Sequence, residues 1–311
     1  MKYYGEVISF VVALSWTATA LFADIASHRI GALPLNLIRM VLSLLMLAAL
    51  LLLTTGSPYP LYANGTVWMW LALSGIVGYV FGDYCLFNAY VIFGSKFGQL
   101  FMTIAPPVSG IASWIALGET LTWRSWVAMV VTLSGIAFTI TMRSGHSLKL
   151  KLPLRGILFG LGAGLGQGIG LLLSKIGLNH YAEVIPADAP ASVSATMPFA
   201  GTFIRAIFGL LGFFLIIASQ KGTLGQVGLA LHDRRSMLFA TLTTLFGPFL
   251  GVSLSLMAVQ YAKVGIASTL MALTPVLIIV PYALINRQKI SLHEVIGTLI
   301  TVSGVALFFL L

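Results

Sequence analysis

The chain has 311 residues, of which 59% are hydrophobic and 8% charged, and its mean hydropathy is +1.01. A soluble domain carries about 25% charged residues, so the solvent this composition fits is a bilayer. The formal charge of +9 does not point to nucleic acid, because the basic residues stand singly or in small groups between apolar runs, with no basic stripe interleaved with aromatics. A single cysteine, Cys85, excludes an intrachain disulfide and an all-cysteine metal site.

A helical span needs about 20 apolar residues to cross about 30 Å of hydrocarbon. The first window that qualifies is 6–27; one lysine followed by an acid makes a poor signal-peptide n-region, so this span is expected to be retained. Windows 34–54, 66–92, 97–117 and 122–142 complete the first half. The third window is long, and Gly75, Gly78 and Gly82 predict that it tilts or splits; Pro106 and Pro107 predict a kink in the fourth.

The sixth window, 154–177, contains LFGLGAGLGQGIGLLLSK, with glycine at 160, 162, 164, 166, 168 and 170. The spacing lacks the offsets of a dinucleotide-binding loop, and no Gly-Lys-Ser/Thr closes it as a P-loop requires. It is too apolar for a solvated linker. On a helix the glycines form two small-xxx-small rows about 200° apart, so that both faces can pack closely. Gln167 is the one polar side chain in the run. Windows 196–219, 236–260, 264–286 and 291–311 follow, with Gly247 and Gly251 in the eighth and Pro275 in the ninth. The interval near 179–196 is the longest between apolar runs and is too short to fold alone, which leaves no soluble catalytic domain.

The two halves, 1–145 and 146–311, repeat. VVTLSGIA (130–137) matches LITVSGVA (299–306), and the same offset of 169 pairs Gly78 with Gly247, Gly82 with Gly251, Met102 with Met271 and Pro106 with Pro275. LIRMVLSLL (37–45) faces FIRAIFGLL (203–211), which sets Arg39 opposite Arg205. Five spans per repeat force the second copy to enter from the opposite side. The predicted fold is therefore an all-α membrane protein of ten transmembrane helices, built as two inverted five-helix repeats in one membrane domain.

FGDYCLFNAYVIFGSKFGQLFMTIAPPVSGIASWIALGE (81–119) and LGVSLSLMAVQYAKVGIASTLMALTPVLIIVPYALI (250–285), with Trp16 and Lys175, resemble the ten-helix drug/metabolite transporter superfamily and in particular its EamA-type branch. The resemblance covers nearly the whole chain. It implies export or exchange of small metabolites through a central cavity lined by helices one, three, four, six, eight and nine. The sequence departs from the family pattern at Arg287 and Gln288, where the Gly118–Glu119 pair is not repeated, and in the long segment HYAEVIPADAPASVSATMP before the seventh span.

Asp83 is the most informative residue, since a carboxylate deep in a span is costly unless it faces water or a partner. It shares a helical face with Tyr79 and Phe87. Two readings stand: an aspartate that locks helices together, or a proton-coupling or substrate-binding group. Gln167 matches Trp16 in the repeat. The expected substrate contacts are Trp16, Tyr79, Asp83, Gln99, Thr103, Gln167 and Ser268, with Asp83 also coupling protons and Pro106 and Pro275 kinking their helices. Arg39 and Arg205, shortly after Pro34 and Pro198, are expected to snorkel to the interface, and Asp24 and Lys175 to be interfacial.

His293–Glu294 lacks a second ligand at metal spacing, and no Gly-x-Ser-x-Gly is present. No metal, cofactor or catalytic residue is expected. Gly82–Asp83 shares half of the Gly-x-Gly-Asp motif of intramembrane aspartyl proteases, but Val80 stands at its first position, and Asp24, the other candidate for a dyad, follows Ala23 where that family has tyrosine. A nonspecific solute channel is the other alternative. The function expected is secondary transport of small organic metabolites, such as amino acids, by alternating access. The protein is expected as a multi-pass monomer in a bacterial inner membrane, with the solute, the lipid and a coupled proton as its partners.

Leaving Arg39 and Arg205 aside, Arg29, Lys96, Arg143, Lys149, Lys151, Arg155, Lys221, Arg234, Arg235, Arg287 and Lys289 lie on one side, eleven against four (Lys2, Arg124, Lys175 and Lys263). The positive-inside bias sets the eleven in the cytoplasm and both termini outside, opposite to the usual arrangement of the family. A reporter active only in the cytoplasm, fused after Leu311, is therefore expected to stay silent; activity would reverse the orientation.

Overall fold

The computed structural model describes residues 3–141, 153–220, 223–285 and 290–310. In chain order its spans are α1 (Tyr4–Ile30), α2 (Ala32–Thr55), α3 (Gly65–Ser95), α4 (Gly98–Leu117), α5 (Trp123–Thr141), α6 (Leu154–Val184), α7 (Ala191–Ser219), α8 (Arg234–Tyr261), α9 (Val264–Pro281) and α10 (Leu292–Leu310). A short helix, Thr223–His232, precedes α8. Eight of the spans are long and apolar enough to cross a bilayer, and α5 and α10, of 19 residues each, hold shorter apolar stretches. At 1.5 Å per residue, 19 residues reach about 28 Å, close to the hydrocarbon thickness.

Two expectations from hydropathy need correction. The segment before the seventh span is not a long connection: α6 continues to Val184, α7 begins at Ala191, and only 185–190 lie between them. Asn179, His180 and Glu183 are polar because the helix end is there leaving hydrocarbon, and the helix persists because Tyr181 is buried, its hydroxyl donating to the Leu61 carbonyl at 2.6 Å. The glycines of α3 and α8 do not split those helices either. Each helix instead widens into an eight-residue π-helical stretch, Ile76–Asp83 and Leu245–Val252, at repeat-equivalent positions. Such local widening is common at functional sites. Pro106 and Pro275 both stand in the first turn of a helix that restarts after an irregular turn.

The six alternating glycines of α6, Gly160 to Gly170, seat two other helices. On one face, a Cβ at Gly166 would lie 2.7 Å from the Gly82 Cα of α3, and one at Gly170 would lie 2.9 Å from the Gly78 Cα. On the other, a Cβ at Gly164 would meet the Phe101 carbonyl oxygen of α4 at 2.6 Å, and one at Gly168 the Ala105 carbonyl oxygen at 2.8 Å. Backbone thus lies on backbone, as small-xxx-small rows permit in lipid. The Ser74 hydroxyl reinforces the seam by donating to the Gly170 carbonyl at 2.7 Å.

The halves interlock. α6 packs on α3 of the other half, and α1 correspondingly packs on α8, with Gly251 against Trp16. α2 lies along α7, and α4 meets α9 at Gly110 and Gly265. α5 and α10 cross reciprocally, Gly135 facing Thr301 while its counterpart Gly304 faces Thr132. That exchange of equivalent contacts is what a twofold relation between repeats demands.

Gly166→Val should abolish the monodisperse folded protein in size-exclusion chromatography. Overpacking commonly costs about 1–3 kcal/mol, and here the added methyls meet fixed backbone rather than a side chain that could yield. Gly65→Ala, with nothing within 4 Å of the new Cβ, should leave the melting temperature unchanged. Similar behaviour of the two variants would refute the seam.

Candidate functional site

Between the halves lies a cavity of about 810 Å³, its opening included, lined by residues of α1–α4 and α6–α9. Of the residues expected from sequence, Trp16, Tyr79, Asp83, Gln99, Gln167 and Ser268 line it. Thr103 is not among the lining residues; it sits in the 3₁₀ turn Met102–Ile104, and its hydroxyl donates back to the Leu100 carbonyl at 2.7 Å. The π-helical stretch of α3 brings Tyr79 and Asp83 to the wall, and the last α3 turns add Phe87 and Tyr90. The Gln99 amide of α4 donates to the Tyr90 hydroxyl, which fixes both polar ends.

Arg39 and Arg205 do not snorkel. They are 3% and 4% exposed and line the cavity, which adds α2 and α7 to its walls. The Arg39 guanidinium donates to the Asn36 side-chain oxygen at 2.8 Å and to Asp83 at 3.2 Å, and it lies over the Phe87 ring at 4.5 Å. The Arg205 guanidinium donates to the Ser174 hydroxyl at 2.5 Å and lies over the Tyr79 ring at 5.0 Å. Each occupies room left by a glycine of the opposite half: a Cβ at Gly247 would stand 3.1 Å from Arg39 Nη2, and one at Gly78 2.7 Å from Arg205 Nη2. Snorkelling fails because Arg205 stands fourteen residues into α7, about 21 Å along its axis, while Arg39 finds a carboxylate and a ring inward. Asp83 likewise has the partner that sequence reasoning did not supply.

Two polar clusters sit beyond the cavity, at repeat-related ends of α1 and α6. Lys175 is ion-paired with Glu119 after α4 and donates to the Ala262 carbonyl at 3.1 Å, while Glu119 accepts the Val264 amide at 2.9 Å. At the α1 end, Asp24 accepts from the Ser95 hydroxyl at 3.1 Å and lies 3.3 Å from His28. Arg287 and Gln288, the repeat counterparts of the Gly118–Glu119 pair, lie outside the described residues. Asp24 and Asp83 engage different partners, unlike two carboxylates sharing one proton. On the same side as Asp24, Asp233 caps α8 and pairs with Arg29 at 2.8 Å; the Ser236 hydroxyl first, and Arg29 second, hold its carboxyl well below the usual range.

Sequence reasoning missed the arginines as site residues, together with Tyr90. A signal was present: the two arginines are repeat equivalents, in LIRMVLSLL and FIRAIFGLL, and both stand inside predicted spans.

Comparison with known proteins agrees with this architecture. No curated protein matches the sequence. A solved crystal structure is 16% identical over 100% of this chain and 97% of its own, with a TM-score of 0.70, and so shares the fold. A family model for EamA-like transporters matches twice, over residues 3–141 and 154–310, one match for each half. The chain belongs to the EamA-like transporter family, and so to a family of membrane transporters of small solutes.

Proposed function

We propose that the chain moves a small organic metabolite across a bacterial cytoplasmic membrane as an exporter or exchanger, by alternating access at the central cavity. The observation that carries this reading is the convergence of eight helices from both inverted halves on one cavity whose polar groups come from each half. The clusters at its two ends serve as gates. Glu119–Lys175 ties the loop after α4, α6 and the α8–α9 junction together at one end, and Asp24–Ser95 ties α1 to the end of α3 at the other. In each cycle one cluster opens as the other closes. The α6 seams suit such sliding, because bare backbone can shear without unlocking interdigitated side chains.

Asp83 couples the proton. A proton that neutralises it removes the attraction holding Arg39, and the freed guanidinium changes how α2 and α3 meet. In this scheme Asp83→Asn, which keeps volume but leaves Arg39 without its carboxylate, lowers the melting temperature and retains solute counterflow in proteoliposomes but loses uphill, proton-driven transport. Unchanged uphill transport would sink the assignment. Solute uptake that neither saturates nor shows counterflow in the parent protein would favour a pore.

Arg39→Met tests the pair from the other side. Leaving a buried carboxylate without its cation costs about 3–5 kcal/mol, and the cavity should hold the loss near the lower figure by admitting water or a proton to Asp83. The melting temperature should fall and partly recover in the double variant with Asp83→Asn. Additive losses in this cycle would show that the two residues do not act as a pair.

A further inference from the structure

We infer that the transported solute is an organic monocarboxylate with an apolar body, and that Arg205 is the residue that receives its carboxylate. The inference rests on the transport reading only in taking the cavity as the solute site.

The repeat makes the asymmetry visible. Arg39 and Arg205 are equivalent, both buried, both over an aromatic ring and both lodged against a glycine of the opposite half. Asp83 supplies Arg39 with a carboxylate from the last residue of the π-helical stretch in α3. The equivalent last residue in α8 is Val252, which also lines the cavity and packs in the apolar clusters containing Ile204 and Ala206, the neighbours of Arg205. Asn36, the second acceptor for Arg39, corresponds to Thr202, whose hydroxyl is turned back to the Pro198 carbonyl at 2.9 Å. The second arginine therefore keeps the setting of the first and lacks both acceptors.

What remains for Arg205 is one neutral hydroxyl, Ser174. Among the described residues no carboxylate lies within ion-pair distance of it, and its Nε, like that of Arg39, has no hydrogen-bond partner. A buried guanidinium so placed, lining a cavity, suits an anion, since a charge without a close counter-ion within a membrane protein is expensive.

Charge balance sets the class. Arg39, Arg205 and Asp83 are the side chains of the cavity wall that carry formal charge, and together they leave one positive charge. A monoanion cancels it. A phosphate or dicarboxylate dianion would overshoot, and a zwitterion would leave the charge in place, which narrows the metabolite class to acids without a compensating amine. A carboxylate also matches the planar guanidinium fork. Trp16, Leu171, Met102 and Met271 offer the rest of the molecule an apolar wall.

The test compares 3-phenylpropionate with its amide and with 3-phenylpropylamine, at constant ionic strength, on the purified full chain; acetate, hexanoate and benzoate extend the acid series. At least one acid should raise the melting temperature where the amide and amine do not. Arg205→Gln should weaken that acid at least about tenfold, or ~1.4 kcal/mol, without lowering the melting temperature of the solute-free protein. Val252→Asp, which leaves every arginine in place but supplies the missing carboxylate internally, should weaken it similarly and stabilise the solute-free protein. No stabilisation by any acid beyond its neutral analogue, or full acid binding in both variants, would overturn the inference. Counterflow of the labelled acid separates the two readings. Binding without counterflow would overturn transport and leave the Arg205 site standing, whereas counterflow of amines or neutral metabolites without acid binding would do the reverse.

Discussion

The close approach of α6 to α3 and α4 is the contact on which the rest of the structure depends. Gly166 against Gly82 and Gly170 against Gly78 bring two backbones together with no side chain between them, while Gly164 and Gly168 lie on the carbonyls of α4. Lipid offers little hydrophobic drive for helices to associate, so close van der Waals contact supplies much of the attraction. The same approach decides the site. Gly78 leaves the space in which the Arg205 guanidinium lies, and Gly82 immediately precedes Asp83, so helix packing and the cavity wall share one stretch of α3.

Burying charge in this environment constrains the sequence as strongly as packing does. Arg39 and Asp83 meet each other's cost through their ion pair, with Asn36 and the Phe87 ring completing the guanidinium's surroundings. Such a pair adds little net stability by itself, but removing one member is expensive. It thereby fixes α2 against α3 at the wall of the cavity. Lys175 and Glu119 do the same work at the end of α6, where a backbone carbonyl and an amide from the α8–α9 junction share the charge.

Inverted repeats would by themselves give a symmetric cavity, and here the side chains make it asymmetric. The backbone keeps it: π-helical stretches, restarted helices after Pro106 and Pro275, and glycine crossings all recur in the second half. The side chains break it at a few positions, among them Asp83 against Val252, Asn36 against Thr202 and Trp16 against Gln167. A symmetric backbone is thus combined with a cavity whose two sides differ in charge and hydrogen bonding.

The sequence by itself determined the solvent, the count of ten spans, the internal repeat and hence the inversion, because hydropathy over about 20 residues and the parity of five spans are properties of the chain alone. It also determined that α6 could be approached from two sides, since the helical period puts alternate glycines on separate faces. It brought out Asp83, Gln99 and Gln167, because an isolated polar group in an apolar run is conspicuous. Only the tertiary structure decided what those groups meet. Hydropathy cannot see that Arg39 turns inward to a carboxylate forty-four residues away, that Arg205 turns inward to none, or that Thr103 spends its hydroxyl on its own turn. The direction of a long side chain is set by the space its neighbours leave, and here that space is made by Gly78 and Gly247 on helices of the opposite half. The second π-helical stretch did carry a local sign in Pro248, which removes a helical donor within it, but hydropathy does not register it.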